Sequence, residues 1–448
     1  MPAKGGATLL DETPNWGIEP VPDRYRVLGL VDTALLWGNL GVSLLVIVAG
    51  ALLVPALSLP DALVAILVGA ALGNLMLGIA GMIGADARVP AMVVLRAPLG
   101  QQGSWVPTAL NVLQCLGWAV FELIIIATAA AALSESAFGF EGRWLWTLVF
   151  GAVAVALGLL GPVGVVRRIL RKYAVWIVLA SLVYLTWWAL DAVSLTALWD
   201  EPGEGGLSVW QGIDLVVGIT VSWIPLAADY TRFSTGRRAG LIGTGVGYFV
   251  PSVWMLLLGV LLVLGRNIAD AAALPAAVAA AGLASGVALL AVTVDETDEA
   301  FANVYSAAVS LQNVLPQLPQ RLLVAAAGAL ATLGALLLEI SDYEAFLYLL
   351  GSFFVPLFAV LLADWLVAGR RYDRRRVFGS VRVRPGALLA WLAGFALYQW
   401  LYPNGPSWWI GVVERLDPPA WNIGATLPSF ALAFCLGLAA ASLGRRST

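Results

Sequence analysis

Twelve stretches of this chain are apolar for long enough to cross a lipid bilayer, and that decides most of what the chain can become. A helix needs about 20 apolar residues to span ~30 Å of hydrocarbon. Such stretches lie at roughly 28–57, 62–84, 105–133, 144–163, 173–198, 209–231, 240–265, 284–314, 322–339, 343–367, 386–402 and 424–443. The eleventh is short, and an Ala-rich piece within 266–284 has the makings of an extra short helix. The connectors leave no room for an inserted soluble domain. Of the 448 residues, 60% are hydrophobic and 12% charged, against about 45–50% and about 25% in soluble domains. The expected fold is an all-α polytopic membrane protein with 12 transmembrane helices.

Loop charges orient it. With the N-terminus in the cytoplasm, 22 of the 25 basic residues fall on that side, among them "RRILRK" (167–172) and "RRYDRRRVFGSVRVR" (370–384). Only Arg143, Arg266 and Arg415 lie outside, as the positive-inside rule requires. Both termini (1–27 and 444–448) and the basic loop 370–385 are therefore expected in the cytoplasm, with the spans in the plasma (inner) membrane. The polar, acidic N-terminus is no cleavable signal peptide. The chain has no histidine, no phosphate loop and no metal-spaced motif, which leaves little for an intramembrane enzyme to work with. No charged ring or filter repeat marks a channel. A net charge of −3 without a basic-aromatic patch gives nucleic acid no purchase, and no obligate protein partner is evident. Cys115 and Cys435, in separate apolar segments, are expected as reduced packing residues.

Two spans are interrupted. "WGNLGVS" (37–43) places two glycines and an asparagine inside the first, and "VSWIPLAAD" (221–229) places Pro225 inside the sixth. Backbone groups freed at membrane depth survive only where they line a cavity or find a partner. Gly41 and Pro225 are 184 residues apart, and the same offset carries Gln114 of the third span onto Asp298 of the eighth. Spans one and six, and three and eight, are thus equivalent, and five spans per unit forces the second unit to be inverted. Paired broken helices in inverted repeats point to the binding site of a secondary transporter. Asp298 itself sits in "VDETDE" (294–299), four carboxylates in five positions. Each costs ~2.5–3.5 kcal/mol at a bilayer centre, so only function sustains ~10 kcal/mol of them.

Four longer segments carry a family resemblance: "VPDRYRVLGLVDTALLWGNLGVSLL", "RAPLGQQGSWVPTALNVLQCLGWAVFE", "SWIPLAADYTRFS" and "TDEAFANVYSAAVSLQN". With these the chain resembles the nucleobase–cation symporters (the purine/cytosine/hydantoin permease group) over about residues 20–440. The resemblance implies a five-plus-five inverted-repeat (LeuT-type) fold: discontinuous helices 1 and 6, repeats at 28–198 and 209–367, and two additional helices within 386–443. It also implies uptake of a planar nitrogen heterocycle, such as cytosine, a purine or an aminopyrimidine vitamin precursor, with Na+ or H+ as coupling ion and no cofactor. An amino-acid or amine transporter of the same fold is the alternative. Such carriers hold a carboxylate at a broken helix's N-terminus and have little use for an acid nearby.

Gln114, Trp118 and Glu122 recur at i, i+4 and i+8, one stripe of the third span. Trp223, at the break of the sixth, is the natural second wall, since flat rings gain ~1–3 kcal/mol per aromatic face. Backbone near Ser222 and Trp223 completes the edge. The resemblance assigns substrate contact to Trp118, Trp223, Glu122 and Asn303, with Glu122 standing where the family has an amide. A carboxylate only accepts, so it favours a ring edge bearing N–H or amino donors. The resemblance also places a coupling Na+ against Gly41, Leu44, Val294, Thr297 and Asp298, where Asp298 replaces a hydroxyl and ligates the ion or takes up a proton. Elsewhere, Asp32 and Asp214 are expected as solvated or capping residues. Asp229 and Arg232 are expected as an ion pair or gate, Asn74 as helix–helix glue, and Trp391, Trp400, Trp408 and Trp409 as an interfacial belt.

Overall fold

The computed structural model describes residues 17–165, 175–191, 194–266, 268, 277–278, 280–338, 343–418 and 423–446. The basic run at 167–172 and most of the Ala-rich piece after 266 lie outside the described residues. Within them the fold is helical throughout, with one isolated β-bridge between Leu28 and Ser234.

The first expected span is two half-helices, α1 (Leu30–Asn39) and α2 (Leu44–Ala51), bent 60° at the break. The chain continues through α3 (Leu59–Ala87), α4 (Trp105–Phe138), α5 (Arg143–Val165), α6 (Val175–Asp191), α7 (Val209–Val221) and α8 (Ile224–Thr231). After these come α9 (Thr244–Arg266), α10 (Leu283–Asp295), α11 (Thr297–Leu311), α12 (Gln320–Leu337), α13 (Tyr343–Val367), α14 (Pro385–Leu401) and α15 (Thr426–Arg446). Among the described residues eight helices, with α7 and α8 as one, are long and apolar enough to span, and the bent first pair makes nine. The count of twelve rests further on α6, the α10–α11 pair and α14, which are too short or too acidic to qualify alone.

The two breaks differ in kind. Leu40 keeps helical values (φ −63°, ψ −11°), and the helical path is lost beyond it, over Gly41, Val42 and a β-extended Ser43 (φ −142°, ψ 140°). At the sixth span Ser222 (φ −59°, ψ −25°) and Trp223 (φ −83°, ψ −16°) stay close to helical values. Pro225 shifts the hydrogen bonds instead: the Leu226 amide donates to Trp223 O, three residues back, at 3.0 Å. The sixth span is thus interrupted but barely bent. A third interruption, with no glycine or proline to announce it, falls at Glu296 between α10 and α11.

Packing divides the helices into two bodies. The bundle joins α3 to α7, α8 and α9, with α1 and α2 against α9; the scaffold joins α4, α5, α11 and α12. Small residues set the bundle's spacing. A β-carbon on Gly84 would lie 2.6 Å from the Ala228 Cα, one on Gly50 would strike the Leu256 carbonyl, and one on Gly259 the Ile47 carbonyl. Asn74 is not interhelical glue: its Nδ2 donates to Ala70 O of its own helix at 2.9 Å. The glycines beside it do that work by close approach.

The C-terminal helices α13, α14 and α15 pack on one another and, through α13, on α7. Asp214 of α7 accepts from the amides of Ala425 and Thr426, so it caps α15 from a distant span. Trp391 leaves the expected interfacial belt: it is buried, and its indole donates to Phe353 O at 2.8 Å. Replacing Gly259 with Ala should force α2 and α9 apart and cost about 1–3 kcal/mol, the range for overpacked cores. A thermal-unfolding scan of the purified variant in detergent would show a lowered Tm. An unchanged Tm would mean that the α2–α9 contact yields freely.

Candidate functional site

Burying the "VDETDE" acids is tolerable where donors reach them, and the structure brings three of the four to donors at the first break. Glu296 turns to the first break, where its Oε1 accepts from Ser43 Oγ at 2.8 Å and its Oε2 from the Leu44 amide at 2.7 Å. Ser43 in turn caps α2 by accepting from Leu45 and Val46. A carboxylate thus sits on the N-terminus of the half-helix, where orphan amides and the helix dipole favour negative charge.

Asn39, at the last turn of α1, donates through Nδ2 to Asp298 Oδ2 at 2.7 Å and to Asp295 Oδ1 at 3.2 Å. One amide therefore bridges two acids. Of the ion site expected at Gly41, Leu44, Val294, Thr297 and Asp298, the structure joins Thr297 Oγ1 to Val294 O at 2.7 Å. The Leu44 amide is occupied by Glu296, and Gly41 lies against α9, where an added β-carbon would come within 2.8 Å of Pro251. Asp298 Oδ1 is buried without a donor. Among the described residues no three His, Cys, Asp or Glu side chains are grouped as metal ligands.

The third span faces the sixth through amides. Gln114 Nε2 donates to Ser222 O at 2.9 Å, the carbonyl that the Pro225 register shift releases, and to Asn111 Oδ1 at 2.7 Å. Asn111 Nδ2 reaches Ser310 Oγ at 2.8 Å and Pro225 O at 3.4 Å. Gln114 is thereby fixed as a brace for the break.

One turn on, Trp118 and Glu122 enter a narrow cavity. Trp223, Ser222, Asn303, Tyr248 and Glu299 line it with them. Five of the six residues expected around a substrate thus meet at one place, and Gln114 stands behind them. Asn303 Nδ2 donates to Glu122 Oε1 at 2.9 Å across the α4–α11 contact.

The indoles are held by edge contacts. Trp118 meets Phe346 at 5.3 Å, and Trp223 meets Trp37 at 5.9 Å, both T-shaped. The Trp223 Nε1 donates to Tyr248 Oη at 2.9 Å. Tyr248, Trp37, Asn39 and Ser43 are site residues that sequence reasoning missed. Trp37, Asn39 and Ser43 lie within the glycine-rich stretch 37–43, which was a signal; nothing in the sequence around Tyr248 sets it apart from other buried aromatics.

A further network lies at the end of α8. Arg232 does not hydrogen-bond the Asp229 carboxylate: it donates to the carbonyls of Asp229 and Gly17 and to Tyr305 Oη. The Asp229 carboxylate accepts instead from the Ala91 amide at 2.9 Å. Asp32 caps its own helix through the Gly29 amide.

A bundle with a sharply broken helix, packed on a scaffold around a buried aromatic and acid-lined cavity, defines a multi-pass membrane transporter for small molecules. The chain belongs to the family of permeases for cytosine/purines, uracil, thiamine and allantoin, whose sequence profile matches residues 20–418. It is 27% identical over 362 residues to the cytosine permease of Escherichia coli (strain K12), covering 77% of this chain and 80% of that protein. It is 26% identical over 213 residues to the hydantoin permease of Microbacterium maritypicum, covering 46% and 42% of the two chains. In fold it matches Mhp1, a nucleobase-cation-symport-1 family transporter solved in a closed conformation with bromovinylhydantoin bound, with a TM-score of 0.81 at 19% identity. That match covers 97% of this chain and 96% of Mhp1, and fixes the five-plus-five inverted-repeat (LeuT-type) architecture. These relatives are permeases and transporters, not enzymes.

Removing the Glu296 side chain (Glu296→Ala) should leave the Ser43 hydroxyl proton and the Leu44 amide buried without an acceptor. A loss of about 1–3 kcal/mol is expected for charge-assisted bonds, read as a lower Tm and as faster amide hydrogen exchange confined to α2. Protection of α2 equal to that of the parent would show that the cap is dispensable.

Proposed function

We propose that this protein is a cation-coupled symporter that imports a planar nitrogen heterocycle across the plasma membrane, with both termini in the cytoplasm. The observation that carries the reading is the cavity where Trp118, Glu122, Trp223, Ser222 and Asn303 converge beside both helix breaks. Two indoles supply flat apolar surface, while Glu122 and Asn303 supply polar edges, the complement of an aromatic ring with N–H donors. Gln114 acts through Ser222, holding the break that shapes the wall. The names of the relatives, cytosine permease and hydantoin permease, fall in the same substrate class.

Coupling is assigned to the contact between α1–α2 and α10–α11. Gly41, Leu44, Val294, Thr297 and Asp298 are the candidate contacts for Na+, and Asp298 is the candidate carrier if H+ is the ion. Support comes from the donor-free Asp298 Oδ1 and from Asn39, which ties the acid directly to the first break. Alternating access then consists of rocking the bundle against the scaffold around this midplane site. Residues 28–198 and 209–367 form the two repeats, and the helices within 386–443 flank them. The competing reading, an amino-acid carrier, needs the N-terminus of α2 for a substrate carboxylate. Glu296 already occupies that place. The partners are the heterocycle, its ion and the lipid bilayer.

Trp118→Ala and Trp223→Ala should each raise the Kd for a transported ring about tenfold or more, given ~1–3 kcal/mol per stacked face. Radioligand binding to folded, monodisperse variants measures this, and unchanged affinity would remove the two-sided stack. Asp298→Asn should abolish accumulation against a gradient while sparing part of the counterflow exchange. Proteoliposomes given separate Na+ and H+ gradients would identify the ion. An Asn variant that still concentrates substrate as the parent does would acquit Asp298.

A further inference from the structure

Tyr248 of α9 lines the cavity and carries a hydroxyl proton that the protein does not use. Its side chain is buried, with the ring edge-on to Trp37 at 6.3 Å and tilted against Trp223 at 6.0 Å. The Oη accepts the Trp223 indole N–H at 2.9 Å. A phenol hydroxyl both accepts and donates, yet among the described residues no group accepts the proton of Tyr248. A buried donor left in that state costs free energy.

The other hydroxyl and amide side chains of the cavity wall have given their protons to the protein. Ser43 Oγ donates to Glu296 Oε1 at 2.8 Å, and Ser222 Oγ donates to Ile219 O at 2.6 Å. Asn303 Nδ2 has two protons, which go to Glu122 Oε1 at 2.9 Å and to the Glu299 carbonyl at 3.3 Å. Among these groups the Tyr248 hydroxyl alone has a proton left for a ligand. The bond from Trp223 also directs it. That N–H fills a lone pair on one side of Oη, and a phenol O–H stays near its ring plane, so the proton turns away from the indole. Accepting a hydrogen bond polarises the O–H and makes it a stronger donor.

We propose that the Tyr248 hydroxyl donates to a carbonyl oxygen of the transported ring, which makes Tyr248 a specificity-determining contact. This rests on the reading of the cavity as a heterocycle site and narrows its ligands to rings that carry an oxo group as well as N–H or amino donors. The oxo oxygen turns to Tyr248 on the bundle, and the N–H edge turns to Glu122 on the scaffold. Such a ring joins the two bodies through itself. A ring without the oxo oxygen reaches only the scaffold, and an amino group in its place would set donor against donor.

The test uses the full-length protein in detergent, as the parent and as Tyr248→Phe, with two matched probe pairs: cytosine against 4-aminopyrimidine, and hypoxanthine against purine. The members of each pair differ by a ring oxo group and its accompanying N–H. Calorimetry gives a Kd for each ring on each protein. Tyr248→Phe should raise the Kd of the oxo rings about tenfold and that of their counterparts far less. Loss of the acceptor for the Trp223 indole acts on all four rings alike, so the change in ratio within a pair isolates the bond from hydroxyl to carbonyl. Equal weakening of both members would overturn the proposal and leave the heterocycle site standing, since Tyr248 would then act only through Trp223. Affinities that the variant leaves unchanged would do the same, as would a parent that binds 4-aminopyrimidine and purine as tightly as the oxo rings. Where Tyr248→Phe alone fails to fold, the same ratio is read by adding it to Trp223→Phe, a background with no indole N–H left to pair. If none of the four rings binds the parent, the heterocycle reading itself falls.

Discussion

A carboxylate from the second half of the chain rests on the broken helix of the first half, and the site is built around that contact. Without Glu296 the α2 terminus would hold a hydroxyl proton and an amide without an acceptor, at membrane depth where no water replaces the loss. Without α2, Glu296 would be an unpartnered charge in hydrocarbon. Each half makes the other's unfavourable feature tolerable. The same exchange recurs on α1, where Asn39 divides its amide between Asp295 and Asp298. Four clustered acids survive in an apolar chain because three of them meet donors at the first break and the fourth faces the cavity.

These polar contacts need close backbones, and glycine provides them on the bundle side. Gly50 and Gly259 let α2 and α9 touch carbonyl to Cα, which brings Tyr248 of α9 to the Trp223 indole. On the scaffold side α4 and α11 are joined by the Glu122–Asn303 bond and by Asn111 to Ser310. Gln114 then crosses from α4 to the carbonyl of Ser222 that the Pro225 register shift releases. The cavity is thus bounded by two bodies, each internally close-packed, that meet through a small number of directional hydrogen bonds.

How much of this was legible depended on whether the signal was local. Gly38, Asn39 and Gly41 announce a break by their own conformational preferences, and the 60° bend falls there. Pro225 announced one too, but proline only removes a donor; with Gln114 and Asn111 covering nearby carbonyls, the sixth span remains almost straight. The stripe Gln114, Trp118 and Glu122 follows from helical period, and the latter two indeed share a cavity with Trp223 and Asn303. Period says which residues share a face, not what the face meets. Hence the Asn39–Asp298 bond, the Glu296 cap and the Tyr248 contribution had no signature. The interruption at Glu296 had none either, because it arises where one carboxylate is drawn to α2 while its neighbours follow α1. Trp391 failed as a belt residue because its indole N–H finds the Phe353 carbonyl inside the protein, a partner that composition cannot reveal.

On the symport reading, the placement of these bonds has a consequence for motion. Bundle and scaffold meet through Ser43 and Leu44 to Glu296, Asn39 to Asp298, Gln114 to Ser222 and Tyr230 to the Ala302 carbonyl. An apolar interface slides with little change in energy, whereas a directional hydrogen bond is either made or broken. Rocking therefore has discrete resting positions, and whatever changes the charge at Asp298 changes the strength of the Asn39 bond that helps define one of them. A cation or proton at Asp298 weakens its hold on Asn39, and the same α1–α2 segment carries the Ser43 wall of the substrate cavity. Ion and ring thus act on one short piece of backbone from its two sides. Coupling between them then requires no long pathway, only the four residues 40–43 between α1 and α2 that belong to neither helix.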